Sequence, residues 1–240
     1  MNRTRVNISF NKDKCLSQDT RTESEESYVV TKFMSGWIVR DGSELSLLYP
    51  PRLREMILFE RLMSNHVLPA EKIDPVVVYP GVLTRDQAST LLSMFTNNKR
   101  CPPMITDRRL GHNGLTVGVY HTAGDTGHDQ LDNVTLKLET RCSLIPYLGV
   151  DDLMEIIEKV SAGNTDSVGA SRPARVREYL GEEATRLAAD MPVTDMSSGA
   201  VEEMMETRMT VLGSRVTTCL HGRPMMKTLS CHQAINNDND

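Results

Sequence analysis

The chain has no long apolar run, no C-x-x-C pair, a single tryptophan and only 5% aromatic residues. Each lack removes a class of protein. Without roughly 18–20 consecutive apolar residues, no helix can span a bilayer. The N-terminus carries no signal-peptide core, so an intracellular protein is expected. The five cysteines, Cys15, Cys101, Cys142, Cys219 and Cys231, are odd in number and scattered. That is not the framework of a disulfide-stapled secreted domain. Without C-x-x-C there is no conventional zinc knuckle, and any metal site must be assembled from distant segments. A basic excess is missing too: 27 Lys and Arg against 32 Asp and Glu give a formal net charge of −5. That balance gives no support for charge-driven binding of nucleic acid by the whole surface. What remains is ordinary, 39% hydrophobic and 25% charged over 240 residues, enough for one large domain or two smaller ones.

Residues 1–27 are polar, bury little, and read as a flexible lead-in; the tail 230–240 reads the same way. From Tyr28, "YVVTKFMSGWIV" and "ELSLLY" flank the Asp-Gly turn signal "RDGS" and predict a hairpin. "RLREMILFERLMSNHV" predicts a helix, with Pro50 and Pro51 in its first turn, where a missing amide hydrogen costs nothing. "PVVVYPGVLT" is extended, and Thr84 is placed to cap the helix "RDQASTLLSMF". About 97–114 reads as loop. "LTVGVYH" and "NVTLKLETRC" read as strands, the second with Val134, Leu136 and Leu138 alternating with Thr135, Lys137 and Glu139. "VDDLMEIIEKV" predicts a helix, "AGNTDSVGAS" a linker, and "RPARVREYLGEEATRLAADM" a helix whose continuity Gly181 weakens. "SSGAVEEMMETRMTVL" predicts the last helix, before the extended "VTTCLHGRPMMKTL". The fold class is therefore α/β (α+β).

The stretch "CLHGRPMM" places Cys219 and His221 two residues apart. The bland reading is a buried thiol and a hydrogen-bonded imidazole; the sharp one is half of a metal site. Met204, Met205, Met209, Met225 and Met226 read as pliable packing rather than thioether ligands. His112, His121 and His128 share no ligand spacing and read as solvent-facing. The arginines of "RPARVRE" admit two readings, contacts to DNA phosphates or pairing with Glu178, Glu182 and Glu183.

Taken together, "VRDGSELSLLYPPRLREMILFERL", "SRPARVREYL" and "CLHGRPMM" resemble the C-terminal domain of MutL homologues, PMS-type in particular, over about residues 28–229. The resemblance implies a dimerisation subdomain, 28–68 plus 171–229, with an external α/β subdomain, 69–170, inserted in it. In that family a nicking endonuclease site combines D-Q-H-A-x-x-E-x-x-x-x-E, an A-C-R tripeptide and C-P-H-G-R-P. Divalent metal neutralises phosphate charge there and activates a water. Here the two glutamates fall on Glu55 and Glu60, and the last piece on Cys219, His221, Gly222, Arg223 and Pro224. The first quartet falls on Tyr49, Pro50, Pro51 and Arg52, and the middle cysteine on Thr185. Proline has no donor atom, and threonine replaces a thiolate poorly.

The resemblance thus implies a residual ligand set of Glu55, Cys219 and His221, with zinc as the ion it suits, and leaves Glu60 as an ordinary solvated glutamate. It implies no catalytic residue. The leading expectation is a dimerisation module that joins another MutL-family subunit within the mismatch repair complex. Such a module would reach DNA only indirectly, avoid membranes and work in the nucleus. The alternative is a metal-dependent endonuclease whose missing ligands are replaced from elsewhere, with Asp41 and Glu183 as candidates. A scaffold that has left repair altogether is the third reading.

Overall fold

The computed structural model describes residues 28–41, 43–95, 103–121, 131, 133–163, 167–190, 196–214 and 216–229. The expected lead-in and tail, His128, Cys15, Cys101 and Cys231 lie outside these residues. Two antiparallel sheets organise the rest. The first runs β1 (Tyr28–Phe33), β2 (Gly36–Asp41), β3 (Glu44–Leu48) and the late β8 (Met226–Thr228), in the order β1-β2-β3-β8. The second contains β4 (Glu71–Tyr79), β5 (Met104–Ile105), β6 (Thr116–His121) and β7 (Val134–Arg141), in the order β4-β7-β6-β5. Both are laced with helices, giving an α+β fold.

Helix α1 (Pro50–Asn65) starts on the two prolines and ends at His66. Its faces serve different cores. Leu53, Met56 and Ile57 join Trp37, Val39 and Leu48 of the first sheet, together with Val201 and Met205 of α7 (Ser198–Val211). Met63, at the other end of α1, joins the larger cluster under the second sheet. That cluster also takes Val176 and Leu180 of α6 (Ala174–Ala189) and Leu153, Ile156 and Ile157 of α4 (Val150–Ser161). Thus α1 and α6, which pack together, lie where the two cores meet.

Some local expectations are corrected. "YVVTKFMSGWIV" breaks into β1 and β2 at Met34 and Ser35, with Met34 in the left-handed region at φ 53°. Methionine there is uncommon, so the turn carried no signal. The loop at 97–114 contains β5 and the one-turn helix α3 (Arg108–Gly111), capped by the Asp107 carboxylate accepting from the Arg109 amide at 2.8 Å. The linker holds another one-turn helix, α5 (Val168–Ser171). Helix α6 runs unbroken through Gly181. His112 is half-buried rather than solvent-facing, with Nδ1 enclosed. Burial, then the charges of Arg108 and Arg172, push its pKa below the ordinary histidine value. Thr84 caps α2 (Arg85–Ser93) as expected, in a reciprocal box with Gln87.

Arg172 answers neither reading offered for the "RPARVRE" arginines. It is fully buried, and among the described residues its side-chain partners are carbonyls and an amide oxygen rather than carboxylates. Nε donates to the Met63 carbonyl at 2.7 Å. The two Nη groups donate to the carbonyls of Leu62, His66 and His112 and to Asn113 Oδ1. Leu62, Met63 and His66 belong to the end of α1, where unpaired carbonyls and the negative pole of the helix dipole accumulate. The guanidinium fork is the group that can satisfy so many at once. Burial pulls its pKa down to about 10, still high enough to keep the charge at neutral pH.

Candidate metal site

The end of the chain does not extend as one strand. Thr218 and Pro224 pair as a bridge, the Cys219 amide donates to the Arg223 carbonyl at 2.8 Å, and the Gly222 amide donates back to the Cys219 carbonyl at 2.9 Å. "CLHGRP" is therefore a tight hairpin turn. Gly222 sits at φ +69° with open space where a Cβ would be, so it is the backbone angle that selects glycine.

This turn is fastened to the start of α1. The Tyr49 amide donates to the Met225 carbonyl at 2.9 Å, and Arg52 Nη1 donates to the Pro224 carbonyl at 2.8 Å. Arg52 also lies 4.3 Å over the Tyr49 ring, a cation–π contact. The cation beside the site is thus occupied with holding the hairpin in place.

One turn into α1, Glu55 is buried at 6% exposure, and Cys219 is buried at 5%. His221 is exposed, and its Nδ1 lies 3.4 Å from Glu55 Oε2. Each of the three offers one ligand atom, and these atoms all lie within 4.8 Å of one another. The structure therefore brings Glu55, Cys219 and His221 together. Glu60 lies outside this cluster, half-buried further along α1.

Zinc bonds of about 2.0–2.3 Å in a tetrahedron separate ligand atoms by roughly 3.3–3.8 Å. The Glu55–His221 separation already has that value. The other separations exceed that range by at most about 1 Å, and the exposed His221 side chain can adjust its own. Carboxylate, imidazole and thiolate together form a donor set suited to zinc rather than to calcium or magnesium, which prefer oxygen. Three protein ligands leave a fourth position. His221 also lines a groove with Phe59, Gly181 and Leu220. A bound zinc would supply Lewis acidity at the fourth position and lower the pKa of a coordinated water.

Thr185, set aside in the sequence as a poor ligand, has a place in the site. Its hydroxyl lies 2.7 Å from Glu55 Oε1 and 3.0 Å from the Gly181 carbonyl. Glu55 thus has a partner on each oxygen. The signal for this residue was its position, a hydroxyl where the resemblance called for a ligand. Asp41 and Glu183 do not join the cluster. Asp41 pairs with Arg208 at 3.0 Å, and Glu183 pairs with Arg186 at 2.6 Å.

No protein-family model matches the chain. It is 27% identical over 229 residues to human PMS1 protein homolog 1, an alignment that covers 93% of this chain and 24% of that protein. The chain therefore spans about a quarter of the length of the curated relative it matches. The likeness runs through 93% of the chain, so what the chain is similar to is a PMS-type MutL homologue.

Proposed function

We propose that this chain is the C-terminal dimerisation module of a PMS-type protein acting in DNA mismatch repair. It joins another MutL-family subunit, works in the nucleus, and holds one zinc ion without cutting DNA. The observation that carries the reading is the composition of the cluster. Glu55 and a Cys219 thiolate supply two negative charges, which balance one divalent ion. A second ion would bring two uncompensated positive charges into a largely buried site, and that is costly. Phosphodiester cleavage by paired metals needs the second ion, and Tyr49 and Pro51 stand where its ligands would be.

Dimerisation is supported by the outer face of the first sheet, and the division into 28–68 plus 171–229 and an external 69–170 by the strand pairing, since β8 joins β1–β3 while β4–β7 pair among themselves. Trp37, Val39 and Leu48 turn inward, while Ile38, Leu45 and Leu47 on the opposite face keep partial exposure. Ile38 lies across from Leu47. An apolar row of this kind, flanked by Arg40 and Lys227, suits the core and rim of a protein interface.

Co-expression with a MutL partner should yield a stable heterodimer on size-exclusion chromatography, and Ile38→Glu with Leu47→Glu should abolish it. Purified protein, alone or as the heterodimer, should leave supercoiled plasmid closed in the presence of manganese. Nicking that disappears with Glu55→Ala would show a working nuclease instead. Elemental analysis should give one zinc per chain.

A further inference from the structure

We propose that Thr185 is a positioning residue of this metal site, holding one oxygen of Glu55 so that the other alone faces the ion. The inference rests on the metal reading above and goes beyond it, because it concerns a side chain that coordinates nothing. Thr185 lies on α6, and 130 positions separate it from Glu55 on α1. Its hydroxyl has one hydrogen and two acceptors in reach, the Glu55 carboxylate at 2.7 Å and the Gly181 carbonyl at 3.0 Å. The hydrogen belongs with the shorter, charged acceptor, since charge-assisted bonds are the stronger ones. A threonine inside a helix chooses between two χ1 rotamers, and the contact to the Gly181 carbonyl four residues back marks the one that presents the oxygen here.

The consequence follows from the two ends of the carboxylate. Oε1 is held by Thr185, and Oε2 lies 3.4 Å from His221 Nδ1. Glu55 therefore presents a single oxygen in a set orientation, and Cys219 and His221 supply the other two donors. One-oxygen binding would keep the protein donor atoms at three, leaving a fourth position for water or another ligand. Groups that orient metal ligands from outside typically contribute about 10–100-fold to affinity. Their effect is expected on binding, with the apo fold left intact.

The test uses the 240-residue chain stripped of metal and titrated with cobalt(II), a spectroscopically visible stand-in for zinc, with zinc affinity then read by chelator competition. Wild type should show thiolate-to-cobalt absorption and ligand-field bands of low coordination number. Thr185→Val and Thr185→Ala should weaken zinc binding about 10–100-fold, with the metal-free chain still folded, though melting lower for the lost bond to buried Glu55. Thr185→Ser, which keeps the hydroxyl, should restore binding. Should Thr185→Val fail to fold, Thr185→Ala and Thr185→Ser still carry the comparison. Wild-type affinity in the valine or alanine variant would overturn the positioning role and leave the metal site standing. If wild type itself binds no cobalt, as with Glu55→Ala, the metal reading falls and the role of Thr185 falls with it.

Discussion

A single arginine shows how little of this architecture is written next to itself. In "SRPARVREYL" Arg172 looks like one cation among three at a helix start. In the fold it is fully buried, and its Nε bonds a carbonyl 109 positions away. Which carbonyls are left unpaired depends on where α1 ends relative to α6, and no local pattern contains that. Removing the side chain would orphan the carbonyls of Met63 and His66 and the side-chain oxygen of Asn113 in a dry site, while the Leu62 carbonyl keeps the His66 amide. Each buried unsatisfied acceptor costs about 1–3 kcal/mol, so Arg172→Ala should destabilise the chain by at least about 3 kcal/mol in urea unfolding. Arg172→Lys should fall in between, because an ammonium has three donors and no planar fork. A lysine variant as stable as wild type would show that charge alone, without the fork, is sufficient.

At the scale of elements, legibility followed the local chemistry. The cap at Thr84, the two prolines opening α1 and the alternation of β7 were all readable, since each needs only neighbouring residues. The Met34 turn and the terminal hairpin were not: methionine rarely takes φ 53°, and Gly222 and Pro224 mark a bend without showing that Thr218 pairs with Pro224 across it. Helix α6 is an intermediate case. Its N-cap is Pro173, which makes no side-chain cap. The cap comes from α4, where both oxygens of Glu155 accept from the Ala174 amide at 3.2 and 3.0 Å and Lys159 binds the same carboxylate at 2.7 Å. Burial alone would raise the pKa of Glu155. Lys159, the Ala174 amide and the charge of Arg177 outweigh it, and the net effect is a lowering. A carboxylate with a depressed folded pKa binds protons less readily than the unfolded chain does. Its contribution is therefore complete above the ordinary value of 4.5 and is lost as pH falls through the folded value. Glu155→Gln should cost about 0.5–1 kcal/mol at pH 7, modest because a third of the side chain meets solvent. It should also flatten the fall in stability below about pH 4.5. Parallel acid limbs in the two proteins would remove Glu155 from the account.

Across the whole molecule, the candidate metal site ties three separated parts of the chain. Glu55 comes from α1, Cys219 and His221 from the terminal hairpin, and Thr185 links the cluster to α6. The ligand types and their spacing were legible through family resemblance. Their meeting in space was an expectation, and only the fold shows the geometry. An ion held there would bind the folded chain far better than the unfolded one, in which Glu55 lies 164 positions from Cys219. It must therefore stabilise by mass action. Free zinc at about a hundredfold above Kd adds about 2.7 kcal/mol. In a chain of this size each kcal/mol moves Tm by about 2–4 °C, so chelation should lower Tm by about 5–10 °C. Readdition of zinc should recover it. Glu55→Ala and Cys219→Ser should melt at the same temperature with and without chelator, which separates loss of this ion from general effects of the chelator. The Tyr49–Met225 and Arg52–Pro224 bonds do not involve the ion. They should keep the hairpin docked, so the metal-free chain should still unfold cooperatively. A wild-type Tm indifferent to chelator would leave the cluster as a buried thiol beside a glutamate–histidine pair.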